Sequence, residues 1–339
     1  MVKNLIHQNP DLLYFAGDQS YDHKEHTAAW LQFGRQFGEV MRDRPTITIP
    51  DDHDVGQPNF WGEGGKIAKL AGAADGGYKL PANYVMMVER CQTWHLPDAV
   101  DPRKIKQGIG VYFTRLTVGG IDFAIIEDRK WKSGPAGKIP KQGPRPDHIK
   151  NPDYDPKSVD VEGLVLLGDR QLKYLREWGQ DWTNSEMKCV LSQTPFAGAV
   201  TNHGGIKYRL HADMDSNGWP QTGRNKALVE IRKALAPHLC GDQHLSTMLQ
   251  HGIENWNDGP WSLCSPAIVN TIYARYWLPL NDAPGENRDP KSVLPFTGEY
   301  LDGFANKITM YAYANPHVSQ SKGGGYSTAA FNKKDRSIT

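Results

Sequence analysis

Three short clusters of acidic residues, tyrosine and histidine, each closing an apolar run, constrain this chain more than any other feature. They are Gly17-Asp18-Gln19-Ser20-Tyr21-Asp22, Pro50-Asp51-Asp52-His53-Asp54 and Cys240-Gly241-Asp242-Gln243-His244. A strand that ends in a carboxylate, a phenol or an imidazole delivers that group to the carboxyl edge of its sheet, where open α/β sheets place their ligands. Three such edges, far apart in sequence, can converge on one metal site. The expectation is a metal-dependent hydrolase.

The bulk numbers narrow the alternatives. With 339 residues, 39% hydrophobic and 23% charged, the chain has the composition of a globular protein. Its net charge of +1 provides no global field favouring nucleic acid or an anionic membrane. No apolar run approaches the roughly 20 residues needed to cross a bilayer, and residues 1–10 lack the apolar core of a signal peptide. Cys91, Cys189, Cys240 and Cys264 show no C-x-x-C spacing, which removes zinc-finger and thioredoxin readings. Cys189 and Cys240 sit in apolar runs where free cysteine packs as a small hydrophobe.

The order of elements reads as α/β. Residues 11–16 form a buried apolar run between Pro10 and Gly17, and residues 46–49 a second strand. Between them, residues 25–42 place Ala29, Trp30, Phe33, Phe37, Val40 and Met41 at helical spacing. Residues 62–77 are glycine-rich and read as loop with one short helix. Residues 110–129 read as a hairpin turning at Gly119-Gly120. Residues 130–157, full of proline, glycine and lysine, read as a long surface loop. Helices are expected over 168–182 and 225–236, strands over 188–192 and 238–240, and further sheet over 262–269. The alternation argues one layered α/β domain over residues 1–339, with no internal repeat. Both ends look cut: the first strand comes almost at once, and residues 329–339 read as a hairpin whose second strand has barely begun.

Each cluster carries its own chemistry. A carboxylate just past a strand, such as Asp18, can bridge two cations, and Tyr21 in the same turn can ligate a strongly Lewis-acidic centre. Taken alone, Asp18 also reads as a helix N-cap and Tyr21 as core. In the second cluster, packed like charges raise one another's pKa unless a cation neutralises them. Asp52 is the candidate ligand there, with His53 facing the substrate as donor to phosphoryl oxygens or the leaving group; the plainer reading is an exposed acidic turn. Asp242 and His244 alternate across one position, so in extended backbone both face one way and can chelate neighbouring ions. Arg129, in Glu127-Asp128-Arg129, can clamp a phosphate with its planar fork or simply pair with Asp128. Lys130, Lys132, Lys138, Lys141 and Lys150 read as solvated loop residues. His7, His26, His203, His211 and His317 read as solvated too.

As a set, the clusters resemble the alkaline phosphatase D (PhoD-like) branch of the calcineurin-like metallophosphoesterases, with its G-D-x-x-Y-[DE], D-D-H-[ED] and G-D-x-H motifs. Glu127-Asp128-Arg129-Lys130-Trp131 is similar to that family's L-D-x-R-x-Y. Residues 167–172 resemble its L-G-x-x-Q helix start, and Asn217-Gly218-Trp219-Pro220 with Arg224 its D-G-Y-P-x-x-R. The likeness runs in order from about residue 11 to residue 269. It implies an αββα sandwich of two mixed sheets with helices outside. It also implies a dinuclear metal centre, Fe3+ with Ca2+ or another divalent ion. The implied reaction is hydrolysis of small-molecule phosphomonoesters or phosphodiesters by a metal-activated hydroxide.

On this reading Asp18 bridges the ions, Tyr21 and His244 complete one, Asp52 and Asp242 the other, and His53 with Arg129 stabilises the phosphoryl group. Family relatives are commonly exported. The family's earliest ligand motif has no counterpart here, and Gln193 stands where the wider superfamily has a ligating histidine, which gives Gln193 a supporting role. Two competing expectations follow: a non-catalytic or truncated relative that binds a partner, and a mononuclear hydrolase acting on another ester such as a sulfate.

Overall fold

A computed structural model describes residues 1–268, 275–279, 283–316 and 324–339. Val269 and His317 lie outside the described residues. The helices are α1 (Val2–Gln8), α2 (His26–Met41), α3 (Ala82–Thr93), α4 (Gly168–Gln180) and α5 (Gln221–Lys233). The strands are β1 (Leu13–Phe15), β2 (Thr46–Thr48), β3 (Thr114–Val118), β4 (Ile121–Ile125), β5 (His148–Ile149), β6 (Met187–Leu191), β7 (Asn202–His203) and β8 (Ala212–Asp213). They continue as β9 (His238–Cys240), β10 (Ser246–His251), β11 (Trp261–Cys264), β12 (Arg275–Tyr276), β13 (Gly298–Leu301), β14 (Lys307–Ala314), β15 (Phe331–Asn332) and β16 (Ser337–Ile338).

Strands β1 and β2 pair in parallel, Leu13 opposite Thr46 and Phe15 opposite Thr48, with α2 as the crossover a parallel pair requires. One stripe of α2, Phe33, Phe37 and Val40, packs on Leu13 and Phe15 of β1 together with Leu5 of α1. The rings of Phe15 and Phe33 meet edge to face at 4.9 Å.

The large sheet has eight strands in the order β13-β14-β10-β11-β9-β6-β4-β3. Its centre, β4-β6-β9-β11, is parallel, and antiparallel strands flank it on both sides. Strands β4 and β6 are buried at every position, which is why they read as continuous apolar runs instead of alternating ones. Side chains of alternate residues face opposite ways. Phe123, Ile125, Cys189 and Leu191 therefore meet Ile47 of β2 and Ile49 just past it. Ala124, Ile126 and Val190 meet Leu175 and Trp178 of α4 and Leu228 and Ile231 of α5. The layers run helix, parallel strand pair, mixed sheet, helix: the αββα arrangement. The first of the two sheets is only the β1–β2 pair among the described residues.

The hairpin β3–β4 turns at Gly119 (φ 59°) and Gly120 (φ 84°), the two left-handed positions a tight hairpin of this kind needs. Several expectations change. Helix α3 was not expected; Val85 and Val88 bury one face of it after Pro81. The 130–157 segment is not surface throughout. Lys130 and Lys132 are buried: Lys132 Nζ donates to Asp215 O (2.6 Å), Ser216 O (2.9 Å) and Asn217 Oδ1 (3.1 Å), and Lys130 Nζ to Gly110 O (2.8 Å) and to Glu89. A buried ammonium is tolerated because its donors are met. Further on, β5 pairs antiparallel with β8. Lys138, Lys141 and Lys150 are exposed as expected, whereas His26 is buried against Gln92 of α3.

Candidate metal centre

Parallel strands all point one way, so the ends of β4, β6 and β9 lie on one edge, and β1 and β2 bring theirs to the same place. Gly17 follows β1 at φ 102°, and a Cβ there would sit 2.3 Å from Asp51 Cβ, so the two loops touch at a point only glycine allows. Asp18 takes a left-handed backbone (φ 60°), tolerated because a short aspartate is among the side chains that conformation accepts. Asp54 joins the loops. Its carboxylate accepts N–H bonds from Asp18 (2.7 Å), Ser20 (2.9 Å) and Asp51 (2.9 Å).

The result is a buried carboxylate cluster. Oxygen atoms of Asp18, Asp51, Asp52 and Asp242 all lie within 4.8 Å of one another, and Asp18, Asp52 and His53 form a second group of the same tightness. Asp18 and Asp52 belong to both. Oδ1 of Asp18 and Oδ1 of Asp52 are buried and accept no hydrogen bond from the described residues. Burial, then the charges of Asp51 and Asp242, pushes the Asp18 carboxyl well up; burial and Asp18 do the same to Asp52. Burial followed by the Asp215 charge lifts Asp242 to about 6. Clustered, unmet carboxylate oxygens of this kind are what a multivalent cation satisfies, so the residues fit a metal.

The predicted residues fall into place unequally. Tyr21 Oη donates to Asp18 Oδ2 at 2.7 Å, and burial with the Asp18 charge holds it in the phenol form. His53 stacks on Tyr21 with ring centroids 4.0 Å apart and shares a 2.8 Å bond through Nδ1 with His23 Nε2. Its Nε2 lies 4.0 Å from Asp52. Burial, then His23, takes the His53 pKa down to about 3, leaving a neutral imidazole. Asp242 and His244 both have left-handed backbone (φ 66° and 52°), so the extended geometry expected to aim them together is not present. His244 is buried but belongs to neither carboxylate group among the described residues.

Arg129 departs furthest from expectation. It is 1% exposed, and its main partner is not Asp128. Its Nε donates to Asp51 (2.7 Å) and its Nη1 to Asp215 (2.6 Å), with Nη2 3.2 Å from Asp242. It is the counter-ion of the cluster, and those donors are committed. Gln193 is a tie: its Oε1 accepts from Asp128 N, and its Nε2 donates to Pro50 O and Glu127.

Sequence reasoning missed Asp51 as the partner of Arg129, Asp54 as the staple, and Asp215. Burial opposes ionisation of Asp215, yet Arg129, Lys132 and Arg275 hold its pKa down at about 2. Asp215 lies two residues before Asn217-Gly218, so its proximity to a noted motif was its one sequence signal.

The fold can be set beside solved structures. PhoD superposes with a TM-score of 0.52 at 15% identity, over 80% of this chain and 55% of that one. A purple acid phosphatase from yellow lupin (Lupinus luteus) seeds gives 0.43 at 12%, over 78% and 38%. A dimetal phosphatase from Danio rerio gives 0.46 at 9%, over 81% of both chains. No protein-family model matches the sequence, and no curated protein matches it. The chain spans about half the length of PhoD and shares its fold. The expected αββα architecture is the one this sequence adopts.

Proposed function

We propose that this chain is a metal-dependent phosphoric ester hydrolase of the PhoD-like kind, acting on small phosphomonoesters or phosphodiesters at the cluster around Asp18. One observation carries the reading: buried carboxylate oxygens on Asp18 and Asp52, unmet by the described residues, at the shared carboxyl edge of two sheets. Asp18, Asp52 and Asp242 would hold the cations, with Asp51 beside them in the same group and His53 left facing the substrate. Tyr21 and His244 would complete the shell, as the resemblance implies, and the implied pair is iron with calcium or another divalent ion. Bound cations supply Lewis acidity toward a phosphoryl oxygen and make water a nucleophile near neutral pH.

The chain's own residues do the rest. Arg129 holds Asp51 and Asp242 in position from within the cluster. Tyr21 and His23 fix the plane and rotation of His53, leaving its Nε2 toward Asp52 and an incoming ester. A neutral imidazole there orients a phosphoryl oxygen through its N–H.

Asp18→Asn and His53→Ala should each lower hydrolysis of p-nitrophenyl phosphate and its diester by about a hundredfold or more, with the circular dichroism spectrum retained. Near wild-type rates in both would remove the site. A second reading, a non-catalytic binding protein, is favoured by Arg129, which already places a cation among the carboxylates. Elemental analysis after iron and calcium reconstitution separates them: about two retained ions per chain support the hydrolase, and none supports the binding protein.

A further inference from the structure

A second group of ligating side chains lies where β5 meets β8. His148 of β5 stands directly opposite Asp213 of β8, so their side chains share one face of the pair, and Asp147 precedes His148. All three are buried. His148 Nε2 is 3.3 Å from Asp147 Oδ2 and 3.9 Å from Asp213 Oδ2. Both His148 Nε2 and Asp213 Oδ2 are shielded from solvent and make no hydrogen bond among the described residues.

We propose that Asp147, His148 and Asp213 bind one first-row divalent cation, with Zn2+ the best match. Ligands about 2.0–2.2 Å from a tetrahedral ion sit about 3.3–3.6 Å apart, and the separations here bracket that range closely. One imidazole with two carboxylates suits zinc; calcium asks for six to eight oxygens at longer distances, which this group does not offer. The neighbouring cations leave room. Arg275 Nη1 stays 3.4 Å from Asp213 Oδ2, beyond the about 2.7–2.9 Å of a charge-assisted bond. Arg145 pairs with Asp147 from a half-exposed position and can turn outward. Asn59 Nδ2 donates to Asp147 Oδ2 at 2.6 Å, and the His203 ring packs on His148 at 4.9 Å, so the group is held from outside as ligands need to be. A cation here would fasten the long 130–157 segment to the stretch carrying Asp215. It would bind whether or not the Asp18 cluster hydrolyses esters.

Crystals of the full chain soaked in zinc chloride provide the test. An anomalous peak at the zinc edge between His148 Nε2 and Asp213 Oδ2 is expected; a blank map there at saturating zinc overturns the site and leaves a histidine clamped by two aspartates. In solution, Asp213→Asn should weaken binding of this zinc at least tenfold and remove one ion per chain by elemental analysis. The double variant Asp18→Asn, Asp52→Asn should keep that ion. Unchanged zinc content in Asp213→Asn also counts against the site, and if that variant fails to fold, the wild-type map alone decides.

Discussion

Asp54 offers no free oxygen to a cation, yet the geometry of the candidate centre depends on it. Three backbone N–H groups from two loops converge on its carboxylate. Asp54→Ala strands those buried donors and should cost about 3 kcal/mol in urea unfolding, with hydrolysis falling as well because Asp18 and Asp51 lose their common anchor. Asp54→Asn, which keeps an accepting oxygen, should lose less. The ligand candidates were legible because each is a polar residue closing an apolar run. The staple was hidden: nothing in the order Asp51-Asp52-His53-Asp54 tells which carboxylate faces the cluster and which turns back to the main chain. Arg129 was read one step short for the same reason. Its near neighbour in sequence is Asp128, but its closest acids, Asp51 and Asp215, are 78 and 86 residues away.

At the scale of elements, periodicity worked where one face is buried. The α2 stripe of Phe33, Phe37 and Val40 was visible from spacing alone, and it is the stripe that covers β1. Phe33→Ala should destabilise the chain by about 3–5 kcal/mol, while Leu31→Ala, on the exposed side, should change it by about 0.5 kcal/mol or less; chemical denaturation measures both. The hairpin β3–β4 was announced by its paired glycines. Helix α3 was not, since only Val85 and Val88 mark its apolar face strongly. The 130–157 segment misled because lysine normally seeks water. Lys130 and Lys132 are buried because backbone carbonyls and carboxylate or amide oxygens elsewhere in the chain receive them, and those partners come from residues 20 to 85 positions away.

For the whole molecule, the carboxylate cluster sets the response to pH and to metal. Burial raises Asp54 and Asp242 to about 6, above the usual carboxylate value near 4. In metal-free protein these groups hold protons in the folded state that the unfolded chain has released between about pH 4 and 6, so folding is favoured at the acid end and stability is lost as pH rises through about 6. The melting temperature of the metal-free wild type relative to Asp242→Asn should therefore be higher at pH 5 than at pH 8. That comparison cancels the opposite pull of buried histidines such as His53 and His238, whose pKa burial lowers to about 3. Cations bind the ionised form, so iron and calcium should raise the melting temperature most at pH 8, and a chelator should restore the original trend; calorimetry at both values checks it.

The rim shared by the two sheets has one more consequence. Asp18 and Asp52 hang from the small parallel pair, Asp242 from the large sheet, and all four described cysteines are free thiols. An ion gripped by both sets would be an inorganic cross-link between layers, stitching the sandwich shut at one end where no covalent bridge does so. Stripping it would let the layers part there first, so amide exchange in the loops after β1 and β9 should quicken before the helices loosen.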